Sequence, residues 1–371
     1  MSFRLGRVLG FPVELDWSWF AIFVLVAFAV QAGMAGEMQL FRYPPMAFAI
    51  AGVLGSLLFF ASLLGHELAH CIIARRLGIP IAGITLFFFG GVARMKNEPD
   101  SPTDELKMAL AGPAFSLVAS AFFYLLWGSR MFDPLLTQLF LYLAIANLMV
   151  ALFNMIPAFP TDGGRALRAF LWGIFSNYNS ATRIASTLGR GFGWALFILG
   201  MLTVLYGNLW NGVWLALIGM FLENAAYSAY EQAQWRKVMA GISVRDLMNL
   251  QPDYVLPETT LQQAVQDHFM RNPTESIPVA RDNQLEGLAN LADIRKTPME
   301  DWPLVSIQAI MKPVPEDCLT QPEEDAWDVL SRTDCNESPV LLVVEEGRLV
   351  GALSQENLAR QLRLRMQIGG R

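Results

Sequence analysis

His66 and His70 stand four residues apart in the run Gly65-His66-Glu67-Leu68-Ala69-His70. On a helix, positions i and i+4 share a face, so the two imidazoles converge on one point. Glu67, beside His66, is left free. Two imidazoles with a carboxylate at hand suit a divalent ion, zinc above all, with Glu67 acting on a water held at the ion. Only three histidines exist in the chain, and two of them are here. The bland reading of the same residues is a polar pair facing a water-filled bundle interior.

A second cluster offers what the first lacks. Residues 153 to 165 read Phe-Asn-Met-Ile-Pro-Ala-Phe-Pro-Thr-Asp-Gly-Gly-Arg. Pro157 and Pro160 break an arriving helix, Asp162 is presented, and two glycines permit the restart. Asp162 can complete a His-His-carboxylate set and leave a fourth tetrahedral position to water. Asp162 as the cap of the next helix is the competing reading.

The setting of both clusters is apolar. Residues 45 to 64 carry no charge and run straight into His66. About 20 apolar residues suffice to cross hydrocarbon as a helix. Ionisable groups at membrane depth are costly, which makes them functional candidates by default. Six spans are expected: 17–33, 44 through the His66–His70 helix, 105–127, 135–154, 193–206 and 213–230. Residues 4–16 read as a strand or hairpin at the membrane surface and 79–96 as a hairpin dipping into the membrane, where such backbone must be buried in protein or line a cavity. The segment 163–190 is amphipathic and basic.

The charge is split unevenly. Residues 1–240 hold 15 basic and 12 acidic side chains, against 12 and 21 in 241–371. A sparsely charged membrane half is thus followed by an acidic, water-soluble one. The net charge of −6 and the lack of a basic, aromatic-interleaved stripe argue against nucleic acid as a partner. Cys71, Cys318 and Cys335 are too scattered for a disulfide framework, and Cys71 reads as a small buried hydrophobe. No cleavable signal peptide is expected. With the N-terminus inside, Arg4, Arg7, Arg75, Arg76, Arg94, Lys96, Arg165, Arg168, Arg183, Arg190, Arg236 and Lys237 all fall on the cytoplasmic side. Arg42 and Arg130 alone fall outside. This bias puts both termini in the cytoplasm and the protein in the plasma membrane.

Taken together, the His66–His70 motif, the Phe153–Arg165 segment, and the Gly90-Gly91 hairpin between them resemble the site-2 protease family of intramembrane zinc metalloproteases. The opening Gly10-Phe11-Pro12-Val13-Glu14-Leu15-Asp16-Trp17 resembles the prokaryotic subgroup that carries CBS modules. The resemblance implies His66, His70 and Asp162 as ligands of one zinc ion and Glu67 as catalytic base. It also implies Asn154 as the residue stabilising the oxyanion or holding substrate, a role typically worth about 2.7–4 kcal/mol. Ser116 departs from the asparagine common in the family, a change read here as one of packing. The substrate would be a single-pass membrane protein in the lipid bilayer. Its scissile segment must be extended, and Phe87, Phe88, Phe89, Gly90, Gly91 and Val92 are the expected edge for it to join as a strand.

Beyond residue 240 an internal repeat appears. Val244-Arg245-Asp246-Leu247-Met248 recurs as Ile307-Gln308-Ala309-Ile310-Met311, and Leu285-Glu286-Gly287-Leu288 as Leu349-Val350-Gly351-Ala352. Each unit reads as helix, two strands, helix, and resembles a CBS module, with repeats at about 241–300 and 304–366. The expected fold is therefore a multi-span α-helical membrane domain with a short β-hairpin (1–235), then a soluble α/β tandem CBS domain (236–371). Such pairs often bind adenosine nucleotides through a Ser/Thr and an Asp three residues on. Here Asn290 and Asp293 stand in one copy, Ser354 and Asn357 in the other, so neither keeps both groups. Nucleotide binding at Asp293 and Ser354 and a dimerising or docking role both stay open. The rival function from another class is a CBS-regulated channel or transporter whose pathway the His/Glu/Asp cluster lines. A third is an inactive homologue acting as a scaffold.

Overall fold

The computed structural model describes residues 2–37, 43–88, 90–95, 98–239, 241–271, 275–326, 329 and 340–354. It divides into two compact units, residues 1–233 and 234–371.

The N-terminal unit opens with strands β1 (Ser2–Val8) and β2 (Phe11–Asp16), followed by helices α1 (Trp17–Glu37) and α2 (Pro45–Arg76). A second hairpin, β3 (Ile81–Phe87) and β4 (Gly90–Met95), precedes α3 (Pro102–Ser129), α4 (Pro134–Asn154), α5 (Asp162–Phe175), α6 (Tyr178–Leu205) and α7 (Leu209–Met239). Five helices among the described residues, α1 to α4 and α6, are long and apolar enough to cross a membrane. The expected count of six thus meets five. The helix over 213–230 is present as part of α7 but is not among the five, its later turns carrying Glu223, Asn224, Glu231 and Gln232. Phe28, Val118, Leu125 and Leu205 are each more than two-thirds exposed, the pattern of side chains that meet lipid rather than water. The amphipathic stretch 163–190 is divided between α5 and α6. Ser176 at φ 52° ends α5, and the Asn177 side chain caps α6 by accepting from Ser180 N at 3.0 Å.

Both hairpins expected from the sequence form, and they join. β2 pairs with β3 in parallel through Val13↔Ile84, Glu14↔Thr85 and Leu15↔Leu86, giving one sheet of order β1-β2-β3-β4. The alternation in β2 explains it: Phe11 and Leu15 are buried with Leu68 and Cys71 of α2 and Ile84 and Leu86 of β3. The sheet is thereby seated on the helix that carries His66 and His70. Cys71 is a buried hydrophobe there, as expected.

In the C-terminal unit β5 (Ser276–Arg281), β6 (Gln284–Asn290), β7 (Leu319–Thr320), β8 (Val340–Glu345) and β9 (Arg348–Ser354) form a sheet of order β5-β6-β9-β8-β7. The repeat is visible in it. Both hairpins turn on a pair of residues at positive φ, Asp282-Asn283 and Glu346-Gly347, as tight turns matched to strand twist require. The repeats also exchange their leading segments. Asn249 bonds Ala352 of the second repeat in both directions, and Lys312 bonds Leu288 of the first. Met248 packs where Gly351 lacks a Cβ, and Met311 where Gly287 does. Neither repeat is complete without the other.

Candidate active site

The His66 and His70 rings face inward from α2, at 2% and 4% exposure, with their centroids 5.0 Å apart. Asp162 Oδ2 lies 3.1 Å from His66 Nε2 and 3.2 Å from His70 Nε2, and the two nitrogens are 3.3 Å apart. Among the described residues this is the one group of three His, Cys, Asp or Glu side chains able to hold a metal ion. The triangle has the right size. Tetrahedral zinc with bonds of about 2.0–2.1 Å sets its ligand atoms about 3.3 Å apart. The structure thus brings together the three side chains expected as ligands.

Both imidazoles are held from behind. His70 Nδ1 lies 2.7 Å from the Met108 carbonyl, which can only accept, so that nitrogen carries the proton and Nε2 presents its lone pair to the cluster. His66 Nδ1 is 2.9 Å from Ser116 Oγ, buried at 1% exposure. Ser116 therefore does more than pack: its hydroxyl fixes the orientation of the His66 ring. Asp162 is not the helix cap either. Thr161 occupies the cap, its Oγ accepting from Gly164 N at 3.3 Å, which leaves the Asp162 carboxylate free at the first position of α5.

Four glycines set the approach distances. A Cβ on Gly112 of α3 would fall 2.2 Å from His70 Nε2 and 2.5 Å from His66 Nε2. On Gly163 and Gly164 it would fall about 2.4 Å from backbone of the broken segment 155–159, so only glycine lets α5 start there. On Gly91 it would fall 2.5 Å from Glu67 Cγ. Strand β4 thus lies directly against Glu67, a contact to which only the doubled Gly90-Gly91 points in the sequence.

The other expected site residues divide. Phe88 N donates to Ser18 Oγ at 3.1 Å, and the Phe87 and Phe88 rings meet Phe221 and Trp214 of α7 at 6.4 and 5.7 Å. Phe87 ends β3, a strand with neighbours on both sides, so the free edge is β4 with Gly90, Gly91 and Val92. Phe89 lies outside the described residues. Asn154 ends α4 half-buried, and its amide donates to the Val150 carbonyl of its own helix at 3.0 Å. Among the described residues no hydrogen bond links it to the three ligands. In the C-terminal unit Asp293 lines a cavity of about 400 Å³ with Glu275, Asn290, Arg295, Lys296 and Lys312. Lys296 and Lys312 each donate to it at 2.7 Å, the first more than the second holding its carboxyl below the usual range. The Ser354 side chain and Asn357 lie outside the described residues.

With this geometry the chain can be compared with known proteins. A sequence model of peptidase family M50 matches residues 54–133 and 128–196, and a model of the CBS domain matches 244–300. A Synechocystis protein provisionally named zinc metalloprotease sll0528 is 32% identical over 365 residues, covering 97% of this chain and 95% of its own. The chain belongs to peptidase family M50. Within it the similarity is to site-2-protease-like zinc metalloproteases, and this chain itself matches the CBS-domain model. Zinc metalloprotease MJ0392 of Methanocaldococcus jannaschii is 29% identical over 369 residues, covering 97% of this chain and 96% of its own. The solved site-2 protease of the same organism is 28% identical, covers 62% of this chain and 95% of its own, and aligns with a TM-score of 0.44. The two stretches matched to the M50 model contain His66, Glu67, His70, Gly112, Ser116, Asn154 and Asp162.

Proposed function

We propose that the protein is an intramembrane zinc endopeptidase that cuts the membrane-spanning segment of single-pass membrane proteins, as a step in regulated intramembrane proteolysis. The observation that carries this reading is the His66–His70–Asp162 triangle, sized for zinc and set among apolar helices, with Glu67 unspent beside it. Zinc held by His66, His70 and Asp162 would supply Lewis-acid chemistry and lower the pKa of a water molecule to about 7. Glu67 takes the proton released and delivers it to the leaving amine. Asn154 donates to the developing oxyanion once its amide leaves Val150. Six spans with both termini in the cytoplasm, in the plasma membrane, complete the reading. Adenosine nucleotide at Asp293 and a homodimer through the CBS pair stand as regulatory proposals. A nucleotide ribose would compete there with Lys296 and Lys312.

Purified protein mixed with single-pass substrates in detergent or vesicles tests the function directly. Cleavage should occur within the apolar segment, stop with a chelator, and return when zinc is restored. Cleavage indifferent to the chelator overturns the reading.

The substrate segment must unwind to expose a carbonyl, and the β4 edge supplies backbone partners for an extended chain. Ala93 is the place to test it, because opposite Ile84 it lies between hydrogen-bonded pairs and turns its N–H away from β3. An Ala93→Pro variant removes an outward-facing donor from that edge and should lower kcat/KM by about tenfold or more while bound zinc is unchanged. Full activity in that variant would sink the edge-strand role.

A further inference from the structure

Arg168 and Glu105 are buried at 5% and 0% exposure, yet neither takes part in the chemistry above. Arg168 Nε donates to Glu105 Oε1 at 2.7 Å, Nη2 bonds the same oxygen, and Nη1 donates to the Tyr178 hydroxyl at 2.6 Å. The guanidinium also lies over two rings, Phe159 at 4.9 Å and Tyr178 at 4.7 Å from its carbon. Glu98 adds a carboxylate oxygen 3.8 Å from Nη1.

Stability alone is a weak reason for such a pair. Desolvation of two buried charges offsets most of their attraction, and apolar replacements often do as well. Position is the better reason. Arg168 follows Asp162 by six residues on the same 14-residue helix. Phe159 belongs to the broken segment that delivers Asp162. Glu105 precedes Gly112 by two turns on α3, and Gly112 abuts both imidazoles. In the first turn of α5 Gly163 and Gly164 pack without side chains and, among the described residues, Arg165 reaches only Met95 Sδ, at 4.0 Å, so little there stops the helix from sliding or turning.

We propose that Arg168 is a positioning residue for the metal site: by gripping Glu105 of α3, Phe159 of the break and Tyr178 of α6 together, it fixes the Asp162 carboxylate against His66 and His70. The proposal rests on the zinc reading, and its test separates the two. Zinc affinity is measured by competition with a chromophoric chelator, on full-length protein in detergent, beside wild type and Asp162→Asn. Arg168→Met alone strands a buried carboxylate and can fail to fold, so the informative variants are Glu105→Gln/Arg168→Gln, which buries no net charge, and Tyr178→Phe, which deletes one hydroxyl. Loss of a group behind a ligand typically costs about 10- to 100-fold in metal affinity. The double variant should fall in that range and Tyr178→Phe should lose several-fold, with kcat at saturating zinc lowered and KM for substrate unchanged. A folded variant of either kind with wild-type zinc affinity overturns the proposal. If Tyr178→Phe alone folds, its affinity decides. Wild-type protein that binds no zinc would instead remove the reading beneath it.

Discussion

Replacing Glu67 by Gln should abolish proteolysis and leave zinc in place. The amide matches the carboxylate in size, so the contact of the side chain with Gly91 on β4 survives. What it loses is the capacity to take a proton, and general-base groups contribute about 10²–10⁴-fold to rate. Metal analysis and cleavage of a single-pass substrate should therefore disagree: one zinc per chain, and turnover down by at least about 100-fold. Zinc lost along with activity would move Glu67 into the ligand set. The same variant judges the rivals. A channel lined by the cluster would show altered ion flux and no protease activity in wild type, and a scaffold would be indifferent to the change.

The convergence of His66, His70 and Asp162 was legible because its logic is local. An i,i+4 histidine pair in an uncharged helix and an aspartate after a proline break each announce themselves in a few residues, and the distances of 3.1–3.3 Å agree with both. What stayed hidden is long-range. Nothing near Val13 says that it pairs in parallel with Ile84, about seventy residues on, because strand partners are chosen by the shared burial of two faces rather than by either segment. Ser116 looked like packing for the same reason: its role depends on a histidine fifty residues earlier. The positive φ of Ser176 broke the amphipathic segment 163–190 at a position that composition does not mark. The β4 edge was misplaced by a few residues, since alternation locates a hairpin well and the partner of each strand poorly. In the C-terminal half the repeat disclosed two similar hairpins but not that each repeat lends its first strand-like segment to the other.

Gly112→Ala should disarm the protein by a different route, through the metal instead of the base. The added methyl carbon would sit 2.2 Å from His70 Nε2 and 2.5 Å from His66 Nε2, closer than carbon and nitrogen can approach. Either α3 retreats or the rings swing. A retreat of α3 carries away Met108 and Ser116, the partners that orient both rings, and a swing breaks the same two hydrogen bonds from the other side. Both relaxations widen the triangle that zinc needs, so the cost falls on the same quantity whichever occurs. Zinc affinity should drop by about 100-fold, at the upper end of what disturbed ligand orientation brings. Cleavage should fall with it and return in part when zinc is raised. That rescue is the sign that separates this variant from Glu67→Gln, whose activity no amount of zinc restores. Wild-type zinc affinity in a folded Gly112→Ala protein would mean that the nitrogens facing α3 are not the ones that hold the ion.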